Sequence, residues 1–478
     1  MTDAPALIWF RNDLRLSDNP ALLAAAASKR PLIAAYVLDY ESAGDWAMGG
    51  ASRWWLHHSL KALSDALSDA GGGLVLRRGD AREVIPALVE ETGAAAVYWN
   101  RAYEPWAIAR DKQIKSALSE SGVEARSSNG ALMVEPWEIS TKQGKPYKVY
   151  TPFWRMLKSE HVPAEPAGRP DTLRFGSAPE SEELEDWALT PSRPDWAGGL
   201  RKVWTPGEDG AHGRLGAFIQ HRMDGYDDAR DLPAVAGTSG LSPHLHFGEI
   251  SPRQIWHAVR GAQGGRSDDA TSFLSEIAWR EFSYNLLYHF PKLPDENFQE
   301  KFDRFDWSDD DDAYAAWTKG MTGYPIVDAG MRQLYETGWM HNRVRMIVGS
   351  FLIKDLMIHW RRGEQWFWDT LVDADLANNA AGWQWVAGSG ADAAPYFRIF
   401  NPVTQGQKFD PNGDYVRKWV PELKELPKKV IHSPWTADRD TLSRAGVVLG
   451  QDYPRPIVDH AEARKRALAE FEKIKDAA

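Results

Sequence analysis

LIAAYVLD, residues Leu32 to Asp39, is a short apolar run rich in branched and aromatic side chains, which is typical of a buried strand. Helical patterns such as Trp54–Gly73, which ends in a glycine cluster, follow and separate runs of this kind. The other strand-like runs near the start of the chain are ALIWF (Ala6–Phe10), LVLRRG (Leu74–Gly79) and AAVYWNRAY (Ala95–Tyr103). This alternation predicts a doubly wound, Rossmann-like parallel sheet, and we place the α/β domain at residues 1–135.

Downstream of the α/β domain the sequence pattern changes twice. Residues 136–205 are rich in Pro, Ser, Glu and Gly and show little periodicity, so we interpret them as a connector. From residue 206 onward helical periodicity dominates, for example in Val327–Gly363 and in the C-terminal segment Ala461–Ala478. The sequence therefore predicts an all-α second domain over residues 206–478.

The composition fits a large globular protein and excludes several kinds of chemistry. The chain has 478 residues, of which 43% are hydrophobic and 26% charged, enough for two or three domains. It contains no cysteine, which excludes disulfides, thiolate nucleophiles and iron–sulfur clusters. We see no signal-peptide pattern and no uninterrupted apolar span, so we expect a cytoplasmic protein. The net charge of −11 argues against a protein that coats nucleic acid but leaves room for a local basic groove.

The stretch DLANNAAGWQWVAGSGAD, residues Asp375–Asp392, concentrates tryptophan and asparagine in one helical segment. Asn379 and Trp383 are four residues apart and share a helix face, whereas Trp385 points elsewhere. Indole transfers no proton at neutral pH, but it can lose an electron. Other tryptophans that precede charged, surface-like sequence are Trp360 and Trp307. A core-to-surface set of indoles would suit one-electron transfer to a cofactor, although core packing is the commoner role of any single tryptophan.

Two further motifs allow both a functional and a purely structural interpretation. GTSGLS, residues Gly237–Ser242, combines glycines and hydroxyls at a helix start, where a phosphate can bind, but it also fits an ordinary N-cap. In EIAWRE, Glu276 and Trp279 lie three residues apart on one helix face. A carboxylate beside a flat ring could bind a nucleobase, yet from spacing alone a half-exposed amphipathic helix is favoured.

In MHNRVRM, an amide and a thioether share a helix face and two arginines diverge. Asn342 and Met346 are four residues apart, and a buried amide needs partners that a neighbouring helix could equally supply. Arg343 and Arg345 differ in direction by about 200° on a helix. One of them could face phosphates while the other pairs with a carboxylate such as Asp373.

Several long motifs together make the chain similar, over nearly its full length, to the DNA photolyase/cryptochrome family. They are WFRNDLRLSDNPAL, VWTPGE, GTSGLSP, EIAWREF, TGYPIVDAGMRQLYETGWMHNRVRM and DLANNAAGWQWVAGSGADAAPYFRIFNPVTQGQKFD. Among subfamilies the chain most resembles the class III bacterial photolyases. The resemblance implies an N-terminal antenna domain, a helical FAD domain, and light-driven repair of cyclobutane pyrimidine dimers by a deoxyribodipyrimidine photo-lyase. The electron would come from photoexcited reduced FAD.

The same resemblance implies a role for individual residues. FAD would be bound by Tyr226, Thr238, Ser239, Gly240, Leu241, Ser242, Phe273, Arg280, Arg345, Asp373, Asp375 and Asn379. Trp383, Trp360 and Trp307 would form the electron-transfer chain, and Asn379 would lie near flavin N5. The dimer and its DNA would be contacted by Arg230, Glu276, Trp279, Arg280, Asn342, Arg343, Met346, Trp385 and Gln405. We expect UV-damaged DNA to be the partner of a monomer that has no obligate protein partner and no membrane contact.

The chain departs from many relatives at two places in the implied cofactor sites. Gly240 stands where many relatives have an arginine in the phosphate loop, so a phosphate contact must come from elsewhere. Pro105-Trp106 stands where class I enzymes have the Asn-Glu pair that binds a folate. We therefore expect a methenyltetrahydrofolate antenna in a different place. The candidate antenna residues are Glu41, Trp54 and Trp55.

Two other functions remain open from the sequence. A cryptochrome-type photoreceptor would share the fold and the flavin, but plant members add a long disordered tail, whereas this sequence ends in a short helical pattern. The Asn342/Met346 pair also favours repair of pyrimidine dimers. A carbohydrate-active hydrolase would likewise use tryptophan platforms and paired carboxylates, and bound flavin would exclude it.

Overall fold

The computed structural model describes residues 4–393 and 398–475. The chain divides into two compact units. The first unit comprises residues 1–197, 201–224 and 239–291, and the second comprises residues 198–200, 225–238 and 292–478. The domain limits 1–135, 136–205 and 206–478 stay predictions. The boundaries of the two compact units lie at other residues.

A five-stranded parallel sheet forms the centre of the first unit. Its strands are β1 (Ala6–Phe10), β2 (Leu32–Leu38), β3 (Leu74–Arg78), β4 (Ala96–Asn100) and β5 (Glu124–Ser128), in the order β3-β2-β1-β4-β5. In the register, Ile8 lies opposite Ala34 on one side and Tyr98 on the other. The four apolar strands match the predicted runs. The sequence analysis missed β5 because EARSS is a polar strand at the edge of the sheet.

The helices follow in chain order as α1 (Pro20–Ala27), α2 (Gly50–Asp69), α3 (Ala81–Thr92), α4 (Pro105–Glu120), α5 (Tyr150–Glu160), α6 (Gly198–Val203), α7 (Glu208–His221), α8 (Tyr226–Ala229), α9 (Ser242–His246), α10 (Pro252–Gly261), α11 (Asp268–His289), α12 (Asp311–Thr318), α13 (Pro325–Thr337), α14 (Asn342–Ser350), α15 (Trp360–Thr370), α16 (Leu376–Ala387), α17 (Pro402–Phe409), α18 (Asp414–Trp419), α19 (Arg439–Arg444) and α20 (His460–Lys475). A π-helical turn, Phe351–Asp355, extends α14. The last three residues of the predicted C-terminal helix lie outside the described part of the chain. None of the described helices combines the length and apolar character that a membrane crossing requires.

The N-terminal motif WFRNDLRLSDN folds as a buried polar network after β1. Asn100, at the end of β4, donates from Nδ2 to Asp13 at 2.6 Å and to Asn19 at 2.7 Å. Asn19 in turn caps α1 by accepting the backbone N–H of Leu22 at 3.1 Å. The guanidinium of Arg15 is fully enclosed and donates to four backbone carbonyls, those of Ser17, Asp18, Gly130 and Gly248. The hydrogen bonds satisfy every buried polar group named here, which ties the ends of β1 and β4 together.

Within residues 136–205, the longest helix of the structure is the amphipathic α5, and the short α6 follows near the end of the segment. The buried side chains of α5 are Tyr150, Phe153, Trp154 and Leu157. Their spacing of three and four residues is helical, although the surrounding Pro- and Glu-rich sequence conceals it. The helix packs on α11 in the same unit.

Helices are the regular elements of the second unit among its described residues, which contain no named strand, and its core contains three large indoles. Trp317, Trp360 and Trp383 are each at most 4% exposed and belong to one apolar cluster with α13, α14 and α18. Helix α16 packs closely on α15 because Gly363 has no side chain. A Cβ added at Gly363 would lie 2.1 Å from Cη2 of Trp383.

We expect Gly363→Ala to destabilise the protein by roughly 1–3 kcal/mol, because the new methyl group overlaps the Trp383 ring and forces it to move. Gly382→Ala is the matched control, since Gly382 lies in α16 and a Cβ added there meets no atom within 4 Å. It should stabilise by about 0.5–1 kcal/mol through the higher helix propensity of alanine. Denaturant unfolding of both variants measures these changes. Equal effects of the two substitutions would contradict the packing described here.

Because the carboxyl group of Glu281 is buried, the stability of the first unit depends on pH. The carboxylate accepts the backbone N–H of Met133 at 2.8 Å, and burial raises its pKa from 4.5 to about 7. Because the folded state holds this proton more tightly, the stabilisation is complete below pH 4.5 and is lost as the pH rises through about 7.

We therefore expect the free energy of unfolding of the wild type, relative to Glu281→Gln, to fall between pH 4.5 and 7. The slope should be on the order of 1 kcal/mol per pH unit. Unfolding both proteins across this range measures it. A difference that is flat or that rises with pH would show that Glu281 does not titrate in this way.

Candidate functional site

In the second unit, Asn379 and Trp383 lie on one face of α16, as their spacing predicts. Asp375 caps the helix by accepting the backbone N–H of Asn378 at 2.8 Å. One turn later, Nδ2 of the buried Asn379 donates to the carbonyl of Glu364, in α15, at 3.0 Å. This bond leaves Oδ1 of the amide as the atom that can accept a hydrogen bond from another group.

Glu364, whose backbone carbonyl bonds to Asn379, carries a buried carboxyl group. Burial raises the pKa of the Glu364 carboxyl well above its ordinary value, so its protonated form is favoured. Neither carboxyl oxygen of Glu364 has a hydrogen-bond partner among the described residues, and the same is true of Nε1 of Trp383. Buried polar atoms without partners are uncommon in native proteins and mark a place where a ligand could supply the missing hydrogen bonds.

The indoles run from the core of the second unit towards its surface. Trp360 is fully buried and donates from Nε1 to Asn297 at 2.9 Å. The ring of His359 lies 5.6 Å from Trp360 and 4.9 Å from Trp307, measured between ring centroids. Trp307 is partly exposed.

A second aromatic run starts from Trp383. Its ring centroid lies 6.3 Å from that of the buried Trp317, edge to face. Trp317 stacks on Tyr314 at 6.0 Å, and Tyr314 is partly exposed beneath the guanidinium of Arg362. The described ring contacts thus connect Trp383 to the surface of this unit through Trp317 and Tyr314, whereas Trp360 and Trp307 are connected to each other through His359.

The two arginines of α14 take separate partners, as expected from their directions on the helix. Nη2 of Arg345 lies 2.8 Å from one carboxylate oxygen of Asp373 and 3.0 Å from the other. Nη2 of Arg343 lies 2.6 Å from Asp231, and its guanidinium carbon lies 4.4 Å from the centroid of Phe409. Arg345 is thus neutralised beside α16, whereas Arg343 stays half-buried with one acidic partner.

The remaining candidates of the second unit are at least partly exposed, apart from Tyr226. Asn342 opens α14 as an exposed residue, and Met346 lies one turn later beside Nη1 of Arg343 at 3.9 Å. Arg230 lies with its guanidinium carbon 5.4 Å from the ring centroid of the buried Tyr226. Three other candidates of this unit are also partly exposed, namely Thr238, Trp385 and Gln405.

In the first unit, the loop that contains Gly240 adjoins an arginine that the sequence analysis did not identify. Gly240 has φ +65°, and a Cβ added there would lie 2.8 Å from Nη1 of Arg214. Arg214, in α7, packs over the ring of Trp204 at 4.2 Å from its centroid. Burial, followed by the charge of Arg222, lowers the pKa of Arg214. The guanidinium thus occupies the space into which a side chain at position 240 would project. Only the fold brings α7 to this loop, so no local sequence pattern reveals it.

Helix α11 carries four further candidates of the first unit. Phe273 is buried against Phe218, and Arg280 donates to the carbonyl of Ala131 at 2.9 Å. Glu276 and Trp279 are partly exposed, as an amphipathic helix requires. The candidates of the adjoining loop also include the partly exposed Ser239, the buried Leu241 and the exposed Ser242.

The three antenna candidates lie in unlike environments. Trp54 and Trp55 are enclosed in the core at 1% and 0% exposure, whereas Glu41 is exposed. Trp55 donates from Nε1 to Glu249 at 2.9 Å. Their assignment to an antenna site stays a prediction.

A crevice that the sequence analysis did not predict lies at the carboxyl ends of β1 and β4. The strand order reverses there, which is where open α/β sheets commonly bind ligands. Its lining includes Arg11, Asn100, Arg101, Tyr103 and Tyr284.

Comparisons of the sequence with known proteins identify the family of the chain. The FAD binding domain of DNA photolyase matches residues 273–473, and the DNA photolyase model matches residues 6–171. A deoxyribodipyrimidine photo-lyase of Agrobacterium fabrum is 56% identical over 99% of this chain and 98% of the relative. Cryptochrome-1 of Arabidopsis thaliana is 39% identical over 96% of this chain and 69% of the relative.

The comparison with solved structures identifies the same family as the sequence comparisons. The crystal structure of a bacterial class III photolyase from Agrobacterium tumefaciens superposes with a TM-score of 0.96 at 55% identity, and covers 99% of this chain and 98% of that one. The predicted fold class, an α/β domain with a parallel sheet and an all-α FAD-binding domain, is confirmed. The chain belongs to the DNA photolyase/cryptochrome family and carries that family's FAD-binding domain.

Proposed function

We propose that the chain is a deoxyribodipyrimidine photo-lyase that repairs cyclobutane pyrimidine dimers in DNA with the energy of light. The observation that carries the proposal is the buried face of α16. There a neutral amide, Asn379, bonds to the backbone carbonyl of Glu364 and shares a helix face with an electron-rich ring, Trp383. Neither an amide nor an indole is an acid or a base at neutral pH, so these two groups suit the movement of electrons.

The residues present fit FAD. The buried atoms of Trp383 and Glu364 that have no partner among the described residues, together with Oδ1 of Asn379, would offer polar contacts to a planar heteroaromatic ring. The residues that would hold the cofactor are Tyr226, Thr238, Ser239, Gly240, Leu241, Ser242, Phe273, Arg280, Arg345, Asp373, Asp375 and Asn379. When bound and reduced, FAD supplies the one-electron chemistry, and the protein supplies position and electrostatics.

Arg214 would provide the positive charge that the phosphate loop itself lacks. Its guanidinium adjoins Gly240 and donates from Nη2 to the carbonyl of Val203 at 2.5 Å. A guanidinium held in this way is pre-organised for a phosphate oxygen, and hydrogen bonds to charged groups are stronger than neutral ones.

The substrate must leave the duplex before it reaches such a site. Enzymes that act on bases extrude them, and a distorted, poorly stacked dimer costs less to extrude than a normal pair. Trp279 and Trp385 would replace the lost stacking, at about 1–3 kcal/mol per base. Glu276 would hydrogen-bond the pyrimidine edge and stabilise the added negative charge, and Asn342 and Met346 would contact the rest of the dimer.

Contacts to the DNA backbone would come from Arg230, Arg343 and Gln405. Because arginine–phosphate contacts release counterions, binding should weaken as salt rises. Arg343 already pairs with Asp231, so its attraction to phosphate is moderated by one carboxylate.

Electrons that return the protein to its reduced state would pass along a chain of three tryptophans, Trp383, Trp360 and Trp307. Trp383 would give up an electron at the cofactor site, Trp360 would refill Trp383, Trp307 would refill Trp360, and an external electron donor would refill Trp307 at the surface. The ring of His359, between Trp360 and Trp307, shortens the gap in this path.

A methenyltetrahydrofolate antenna in the first unit, with Glu41, Trp54 and Trp55 as candidate ligands, completes the proposal. The protein would act as a monomer on nucleoid DNA in the cytoplasm, without an obligate protein partner.

The decisive experiment counts thymine dimers in an irradiated oligonucleotide incubated with the purified protein, in blue light and in the dark. Repair in light alone supports the proposal. Flavin-loaded protein that leaves the dimers intact would favour a photoreceptor of the cryptochrome type, to which the 39% identity with Arabidopsis cryptochrome-1 points.

We expect Trp383→Phe to slow light-driven reduction of the bound flavin at least about tenfold, since phenylalanine gives up an electron far less readily than indole. Repair by enzyme that has been reduced chemically beforehand should persist. Absorbance during illumination measures the first property and dimer counting the second. The control is Trp419→Phe, which changes a partly buried tryptophan at the edge of the same core. Reduction of Trp383→Phe at the wild-type rate would exclude Trp383 as the entry point.

We expect Arg214→Gln to weaken FAD binding by about tenfold or more, because it removes a charge-assisted hydrogen bond. Titration of flavin-free protein with FAD measures the dissociation constant. Arg201→Gln is the control, since Arg201 is an exposed arginine paired with Asp195 at 2.6 Å. An unchanged dissociation constant for Arg214→Gln would rule out this role.

A further inference from the structure

Tyr150, at the start of α5, forms a close parallel stack with Trp279. The ring centroids are 3.6 Å apart and the planes differ by 9°. The tyrosine hydroxyl donates to the carbonyl of Ser275 at 2.6 Å, and the hydroxyl of Ser275 lies equally near. Ser275 precedes Trp279 by one turn of α11. The phenol is thus fixed to the same helix at its flat face and at its polar end.

The stack decides which face of Trp279 can accept another ring. A planar ring offers two faces, and Tyr150 occupies one of them. Phe282 approaches both rings from the edge, with centroids 5.8 Å from Trp279 and 5.9 Å from Tyr150 at angles of 78° and 72°. Tyr150 is buried at 7% exposure, whereas Trp279 is partly exposed. A base can therefore stack on Trp279 only at the face opposite the tyrosine.

We propose that Tyr150 is a positioning residue for the recognition of the pyrimidine dimer, acting through Trp279. This inference rests on the proposed function, in which Trp279 stacks on the dimer. Tyr150 holds the indole plane of Trp279 before DNA binds. The side chain of Trp279 therefore loses less conformational entropy when the dimer binds. Tyr150 also fixes the angle at which the extruded dimer meets Glu276, three residues before Trp279 on α11.

Helix α5 supplies a matched control for a purely structural role. Phe153 is buried at 1% exposure and packs on Phe282 at a centroid distance of 5.3 Å and on Tyr147 at 6.0 Å. It shares the helix and the aromatic cluster of Tyr150 but holds no parallel stack with Trp279. A change at Phe153 should lower stability without changing the preference for damaged DNA.

The experiment measures, in the dark, the dissociation constants of the flavin-loaded protein for matched oligonucleotides with and without one thymine dimer. Tyr150→Leu should weaken binding of the damaged strand by about 3- to 10-fold, the range expected for one aromatic pair. Its affinity for the undamaged strand should stay within about twofold, as should both affinities of Tyr150→Phe, which keeps the stack. Phe153→Leu should leave the ratio of the two constants unchanged. Tyr150→Met, which fills the space without a flat face, replaces Tyr150→Leu if the latter does not fold.

A double-mutant cycle with Trp279→Ala separates this inference from the proposed function. If Tyr150 acts through Trp279, adding Tyr150→Leu to Trp279→Ala should cause no further loss of affinity for the dimer. An unchanged ratio in Tyr150→Leu, together with a reduced one in Trp279→Ala, would overturn the role of Tyr150 alone. Full additivity of the two losses would overturn it as well. An unchanged ratio in Trp279→Ala would overturn the proposed role of Trp279 itself.

Discussion

The close approach of α16 to α15 is the constraint on which the chemistry of the second unit depends. Gly363 leaves room for the ring of Trp383, and the carbonyl of Glu364, one residue further, holds the amide of Asn379. These neighbouring residues of α15 therefore set both the position of the Trp383 ring and the orientation of a neutral amide. A larger residue at 363 would disturb the two together, because Trp383 follows Asn379 by one turn of the same helix.

The same logic of one side chain fixing another recurs around the candidate sites. Asp373 neutralises Arg345, Asp231 moderates Arg343, and Tyr150 fixes the plane of Trp279. In each case a charged or aromatic group that would meet the cofactor or DNA has its geometry set before the ligand arrives. Such pre-organisation lowers the entropic cost of binding and is the protein's main contribution when a cofactor carries the chemistry.

The sequence predicted those features that rest on local patterns. The four apolar strands, the helical second half and the shared face of Asn379 and Trp383 follow from periodicity, and the directions of Arg343 and Arg345 follow from helix geometry. The polar strand β5 was missed because edge strands need not be apolar, and α5 was concealed by its Pro- and Glu-rich surroundings.

Arg214 and Tyr150 could not be predicted, since each meets its partner through packing between residues far apart in the chain. Nor does spacing say which tryptophans are in ring contact, so the run through Trp317 emerges only in three dimensions. Local sequence thus identified the chemical groups, whereas the tertiary fold identified what holds them in place.

We propose that the buried face of α16 accepts a flavin and exchanges single electrons with it. The absorbance spectrum of the purified protein, recorded before and during blue illumination with an external electron donor, tests this claim most directly. The account predicts flavin absorbance in the blue, close to one flavin per chain, that fades under light. A colourless protein that takes up no added flavin would contradict it.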